Sequence, residues 1–260
     1  MSLTESMRRD WDTRARKDAL YYIASWRADW GLPEFLASGE EDCERFVTPA
    51  MQRVGFSPKE RTLLELGCGA GRMTHAFAKR FKQVIAFDVS PEMLGRARKN
   101  LSGAQNVTWI QGNGIDLREV PDESVDFVFS YLVLQHLPKE DLVRAYIREM
   151  HRVLKADGLC LFQFNGMRRP TMNWRGQFAW AAVDALWSVG LESVSRSAAR
   201  LLGFDPQMAG KSWRGIAMSS GDILEAARKS GGTILELTGQ DSAIAWCCTK
   251  KAAPENRPSP

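Results

Sequence analysis

The chain has 260 residues, of which 44% are hydrophobic, 25% charged and 10% aromatic, a balance that excludes disordered, collagen-like and disulfide-stapled classes and leaves one large globular domain with additions. Lys+Arg 35 against Asp+Glu 31 gives a formal net charge of only +4, too little for an obligate nucleic-acid binder, while nine tryptophans are many for this length.

The first segment, residues 1–58, reads as a helical cap broken near 31–33 and carries Trp11-Asp12-x-Arg14-Ala15-Arg16 and Tyr21-Tyr22-Ile23. Its opening, to Lys17, is polar and mixed in charge, the opposite of a signal peptide. Residues 59–250 read as one domain, in which short β-branched and aromatic runs alternate with amphipathic stretches between 61 and 164. Strands are predicted over 62–66, 84–87, 107–111, 125–130 and 159–164, and helices over 72–81, 91–101 and 139–154. Ser90 followed by Pro91 is a favourable helix start. Strands joined by helices of this length need crossover connections, so the expected core is a doubly wound α/β, mostly parallel sheet. A last helix over 222–230 and two runs, 233–237 and 243–249, add an antiparallel hairpin and bring the strand count to seven.

An insertion, 166–220, interrupts this alternation, and the proline-rich tail, 251–260, reads as disordered. Cys43, Cys68, Cys160, Cys247 and Cys248 form no paired CxxC spacing, which points to a reducing, cytoplasmic setting and to no metal site. No apolar run is long enough to span a bilayer, which takes roughly 20 residues.

Between the first strand and helix lies Glu65-Leu66-Gly67-Cys68-Gly69-Ala70-Gly71-Arg72, a glycine-rich turn at the carboxyl edge of the sheet, where such folds bind ligands. A dinucleotide fingerprint asks for glycine at its sixth position, occupied here by Arg72, and Glu65 would repel a pyrophosphate but suit an ammonium or sulfonium. Roughly 20 residues on, Asp88 ends the second strand, placed to accept hydrogen bonds from a ribose diol.

From residue 61 to 164 these features, in this order, resemble the class I S-adenosylmethionine-dependent methyltransferases, which implies a Rossmann-like fold and S-adenosyl-L-methionine as cofactor, with no metal. The resemblance implies that Glu65, Gly67, Cys68, Gly69, Gly71 and Arg72 cradle the methionine end and that Asp88 holds the ribose. Val89 and Met93 would pack on the adenine and ribose, and Asn113 and Gly114 would contact the adenine. The run after the fourth strand resembles that of small-molecule members, with Ser130, Tyr131 and Gln135 lining the methyl-transfer region.

On a ligand-facing loop His136 is the candidate general base, beside a structural or substrate-contact role for it. Cys68 reads as a packing residue, because no base adjoins it. Tyr21, Tyr22 and Trp26 are candidates to close the pocket from the cap, beside a purely structural role in stapling the helix onto the sheet. The insertion places Trp174, Trp180, Trp187 and Trp213 among seven Arg/Lys and three acids, a lid suited to an anionic or aromatic small-molecule acceptor.

An RNA acceptor and a non-catalytic cofactor-binding protein are the alternatives. Nucleic acid is disfavoured by the modest charge and the lack of a long basic run or of an Asn/Asp-Pro-Pro-aromatic motif. The acceptor atom and the oligomeric state have no counterpart in the sequence.

Overall fold

The computed structural model describes residues 2–166, 178–179, 181–183, 185–186, 191–202, 216–240 and 242–253. Its helices are α1 (Leu3–Ile23), α2 (Leu32–Asp42), α3 (Thr48–Arg53), α4 (Arg72–Ala78), α5 (Pro91–Asn100), α6 (Glu140–Val153), α7 (Glu192–Leu201) and α8 (Ser220–Lys229); a π-helical turn, Cys43–Val47, joins α2 to α3. The strands are β1 (Thr62–Leu66), β2 (Gln83–Asp88), β3 (Val107–Gln111), β4 (Val125–Ser130), β5 (Leu154–Phe164), β6 (Gly232–Thr238) and β7 (Ala245–Lys251).

The sheet runs β3-β2-β1-β4-β5-β7-β6. β1 to β5 are parallel, and β7 pairs antiparallel with both β5 and β6. The expected doubly wound, mostly parallel seven-stranded sheet is therefore present, but the terminal hairpin lies with its second strand inward, so the chain leaves β5, forms the edge strand and returns between the two.

Alternate side chains of the central strands feed two cores, as a period of two requires. Leu64 and Val128 join α6 and α8 residues such as Ile147 and Ile223 on one face, while Leu63, Phe127 and Phe129 join Phe77 of α4 and Val47 on the other. Asp126, buried in β4, survives there because it accepts from the Thr62 backbone N–H and the side chains of Arg61 and Lys155, each at 3.0 Å, tying β1, β4 and β5 at their N-terminal edge.

Two boundaries differ from expectation. Helix α4 stops at Ala78 rather than near Phe81, where the Asn106 side-chain amide donates to the carbonyls of Ala78 (2.9 Å) and Phe81 (3.0 Å) and anchors the turn. β5 begins at Leu154 rather than near Leu159 because Asp157 and Gly158 are carried within the strand, with Asp157 at φ 63° and the β4–β5 register shifting between Val125 and Phe127. The lid tryptophans Trp174, Trp180, Trp187 and Trp213 lie outside the described residues.

Candidate active site

At the carboxyl edge of β1 the chain turns through Gly67 and Gly69, at φ 79° and 52°, backbone that L side chains rarely adopt. Backbone N–H groups of Gly67 and Cys68 donate to the Phe87 carbonyl at 2.7 and 3.1 Å, fastening the turn to β2. A Cβ on Gly67 would stand 2.1 Å from Val133 Cγ2, and one on Gly69 2.4 Å from Ile23 Cδ1. The loop is thus gripped between the segment after β4 and the end of α1. Cys68 is buried, and burial pushes its thiol well above the ordinary range, so it packs as a small apolar residue beside Ala86 and Leu94.

Two carboxylates face the same space. Glu65 accepts a 2.6 Å hydrogen bond from the Thr74 hydroxyl, and burial raises its pKa to about 7. Asp88 accepts from the backbone N–H groups of Gly69 and Ser90, each at 2.8 Å, and burial raises it to about 6 against the pull of those bonds. Each carboxylate oxygen retains a second lone pair for a ligand hydroxyl or ammonium.

Helix α1 roofs this edge. Asp12 accepts from the Ser90 hydroxyl (2.6 Å) and the Glu92 backbone N–H (3.4 Å) at the start of α5, and Arg16 pairs with Glu92 at 3.1 Å. At Asp18 the backbone becomes extended (φ −166°, ψ 92°), and its carboxylate accepts from the Tyr21 N–H at 3.0 Å, restarting a short turn that carries Tyr21, Tyr22 and Ile23 over the glycine loop. Between roof and sheet edge lies a cavity of about 750 Å³ whose wall includes Trp11, Arg14, Tyr21, Tyr22, Trp26, Glu65, Gly67, Cys68, Arg72, Asp88, Val89, Met93, Tyr131, Gln135 and His136.

Residues 64–162 match the family described as a methyltransferase domain. The chain is 33% identical over 131 residues to an uncharacterized methyltransferase of Synechocystis sp., covering 50% of this chain and 58% of that protein. It is 37% identical over 110 residues to a malonyl-[acyl-carrier protein] O-methyltransferase of Halalkalibacterium halodurans, covering 41% and 40%. This stretch is thus similar to methyltransferase domains. The chain spans less than two thirds of the length of these curated relatives. Among solved structures, magnesium protoporphyrin IX methyltransferase from Synechocystis PCC 6803 with bound SAM superposes with TM-score 0.60 at 15% identity, covering 97% of this chain and 98% of that one. An N-methyltransferase from Bradyrhizobium japonicum in complex with S-adenosyl-L-homocysteine gives TM-score 0.60 at 17% identity, covering 95% and 98%.

Several residues expected at the site stand outside the cavity wall. Asn113 does not reach the cavity: its amide donates to Asp116 (2.7 Å) and accepts from the N–H groups of Ile115 (2.6 Å) and Asp116 (3.0 Å), closing its own loop. Gly114 lies beneath Met7 and Val89, Gly71 against Ala97 of α5 and Leu101 just after it, and Gly69 beneath Ile23. Ser130 is wholly buried at the end of β4, with no partner for its hydroxyl among the described residues. Trp174, Trp180 and Trp213 lie outside the described residues.

Arg72 is 3% exposed, bound to Asp42 (2.7 Å) and the Ser38 carbonyl (3.1 Å), with its guanidinium 5.1 Å from the Trp26 ring centre and 5.8 Å from that of Tyr131. It thereby ties the glycine loop to α2. Burial lifts the Tyr131 hydroxyl to about 12, and its ring stacks on Trp246 at 5.1 Å.

The segment after β4 is organised by Gln163, which sequence reasoning passed over. Its Oε1 accepts from the Leu132 N–H (3.1 Å), and its Nε2 donates to the Ala243 carbonyl (3.0 Å) and to Gln135 Oε1 (3.1 Å). That orients the Gln135 amide so that its Nε2, 3.3 Å from His136 Nε2, is the donor, and the ring proton of a neutral His136 sits on Nδ1. His136 also meets the edge of Trp11, with centroids 5.4 Å apart. The one signal for Gln163 is a polar residue inside the apolar run 159–164. For the roof the signal is spacing, since Met7, Trp11, Arg14 and Tyr21 recur along one face of α1 and all line the cavity. Among the described residues no helix is long and apolar enough to cross a membrane, and no three or more His, Cys, Asp or Glu are grouped to hold a metal ion.

Proposed function

We propose that the chain is an S-adenosylmethionine-dependent methyltransferase acting on a small-molecule acceptor. The reading is carried by one juxtaposition: a glycine turn that a Cβ would obstruct, two buried carboxylates and an aromatic roof share a single cavity of about 750 Å³. The cofactor fits this donor set, because the carboxylates suit a cation and a ribose diol, and the side-chain-free turn lets a ligand touch backbone. When bound, S-adenosyl-L-methionine supplies an activated methyl that an acceptor nucleophile displaces inline.

In this reading Glu65, Gly67, Cys68, Gly69, Gly71 and Arg72 form or brace the methionine end, and Asp88 holds the ribose hydroxyls. Val89 and Met93 pack on the nucleoside, with Asn113 and Gly114 shaping the adenine loop through its backbone. Tyr21, Tyr22 and Trp26 exclude water, while Tyr131 and Gln135 bound the transfer region and Ser130 supports them from below. His136, whose Nε2 lone pair is engaged by Gln135, bounds the acceptor side of the cavity rather than abstracting the acceptor's proton. Placement of the nucleophile about 3 to 3.5 Å from the methyl is then the main catalytic device. Names such as malonyl-[acyl-carrier protein] O-methyltransferase and demethylmenaquinone methyltransferase among the relatives support an acceptor other than nucleic acid.

Calorimetric titration with S-adenosyl-L-homocysteine tests this. The wild type is expected to bind and Asp88→Ala to lose at least tenfold in affinity, as removal of a buried carboxylate that accepts ligand hydroxyls requires. Absence of binding to the wild type would sink the proposal.

A further inference from the structure

We propose that the acceptor bears a carboxylate or similar planar anion beside an aromatic ring, and that Arg14 receives it. The inference rests on the methyltransferase reading of the cavity and adds to it a substrate class and a binding residue.

Arg14 has a side chain only 9% exposed, yet among the described residues its one hydrogen-bond acceptor is Asp10 Oδ2 at 2.6 Å, on a side chain that is itself 43% exposed. Its guanidinium lies 4.8 Å from the Trp11 ring centre and 5.6 Å from that of Tyr22, so its plane is held by aromatic faces and one bond to Asp10. A guanidinium stays charged at any working pH and offers five N–H donors in a fork that matches a carboxylate. No nitrogen of Arg14 is a buried donor without a partner, so its remaining N–H groups open on the cavity, where the oxygens of a ligand can take them.

The cavity wall is polarised around it. Lys17, one turn further along α1, and Arg200 of α7 also line the cavity, and neither has an ion-pair partner among the described residues. Glu65 and Asp88 stand at the glycine-loop end, where Arg72 is already paired with Asp42, and on the roof the lining acid Asp10 is already paired with Arg14. An anion is repelled from that end and drawn toward the roof, while Trp11 and Tyr22 offer a flat ring its stacking surface.

The cofactor's own carboxylate is a second source of the same chemistry. The acceptor is favoured because Trp11, which carries Arg14, meets His136 on the post-β4 segment, whereas a different arginine, Arg72, serves the glycine loop.

The test is calorimetry in saturating S-adenosyl-L-homocysteine with two matched pairs, 4-hydroxybenzoate against 4-hydroxybenzamide and indole-3-acetate against indole-3-acetamide. The wild type should prefer the acid of at least one pair by roughly tenfold or more, the gain of a charge-assisted hydrogen bond. Arg14→Gln should abolish that preference and leave S-adenosyl-L-homocysteine affinity within about twofold. Lys17→Met, at an exposed position without an ion pair, should reduce it about twofold or more through the lost charge. If Arg14→Gln does not fold, the wild-type and Lys17→Met comparisons decide the matter. The proposal is overturned if the wild type binds acids no better than amides, or binds neither. It is equally overturned if Arg14→Gln retains the preference, or if its loss falls on S-adenosyl-L-homocysteine but not on 5′-methylthioadenosine, which would assign Arg14 to the cofactor. Failure of the wild type to bind S-adenosyl-L-homocysteine is a separate result and removes the underlying reading instead.

Discussion

Replacing Gly67 by alanine perturbs backbone and packing together, and the two parts can be separated. At φ 79° an L residue costs about 1 to 2 kcal/mol from its Cβ alone. The new methyl would also stand 2.1 Å from Val133 Cγ2 and 3.2 Å from its Cβ, so Val133 or the loop must move, at a further cost of about 1 to 3 kcal/mol. The expected loss of about 2 to 5 kcal/mol is a large share of the roughly 5 to 15 kcal/mol that holds a domain folded. Truncating Val133 to alanine removes both Cγ atoms and hence most of the clash, but leaves the backbone cost intact. Urea unfolding of the wild type, Gly67→Ala, Val133→Ala and the double variant should therefore give a favourable coupling of about 1 to 3 kcal/mol, with a residual penalty near the backbone figure. Calorimetry on the same four proteins should show S-adenosyl-L-homocysteine affinity only partly restored in the double variant. A Gly67→Ala protein that unfolds within about 0.5 kcal/mol of wild type, or additive effects across the cycle, would refute the argument that the turn is gripped by the post-β4 segment.

Glu65, raised to about 7, predicts opposite responses of binding and stability to pH. Its folded-state pKa lies above the ordinary 4.5, so its contribution to the stability of the unliganded fold is present at low pH and is lost as pH rises through about 7. Cofactor cations favour the ionised form, so calorimetric affinity for S-adenosyl-L-methionine should fall by up to about tenfold per pH unit below 7, and Glu65→Gln should flatten that part of the profile, leaving the contribution of Asp88 near 6. A wild-type profile as flat as the Gln variant between pH 6 and 8 would contradict the role given to Glu65. For His136, steady-state kinetics with a turning-over acceptor should show His136→Ala losing less than about tenfold in kcat; a drop of about 100-fold or more would restore the general base.

Much of this fold was legible because its signals are local. The alternation over 62–164, the Ser90–Pro91 helix start and the glycine turn each lie within a short window, and Asp88 follows from the length of one strand-helix-strand unit. Ser90 indeed caps α5 by accepting from the Met93 N–H at 3.1 Å. Other features depend on residues far apart in the chain. Asp12 meets Ser90 across 78 residues and Gln163 meets Gln135 across 28, pairings that no periodicity encodes. Asn113 shows the converse: its place in the chain suited an adenine contact, but neighbouring backbone N–H groups offered its side chain closer partners. Local sequence thus determined which segments are strands, helices and tight turns, because steric and capping preferences act over a few residues. Tertiary packing decided that β7 enters between β5 and β6, that α1 becomes a roof, and that Arg14 and Trp11 share a cavity with Glu65 and Asp88, since burial and long-range hydrogen bonds exist only once the elements have docked.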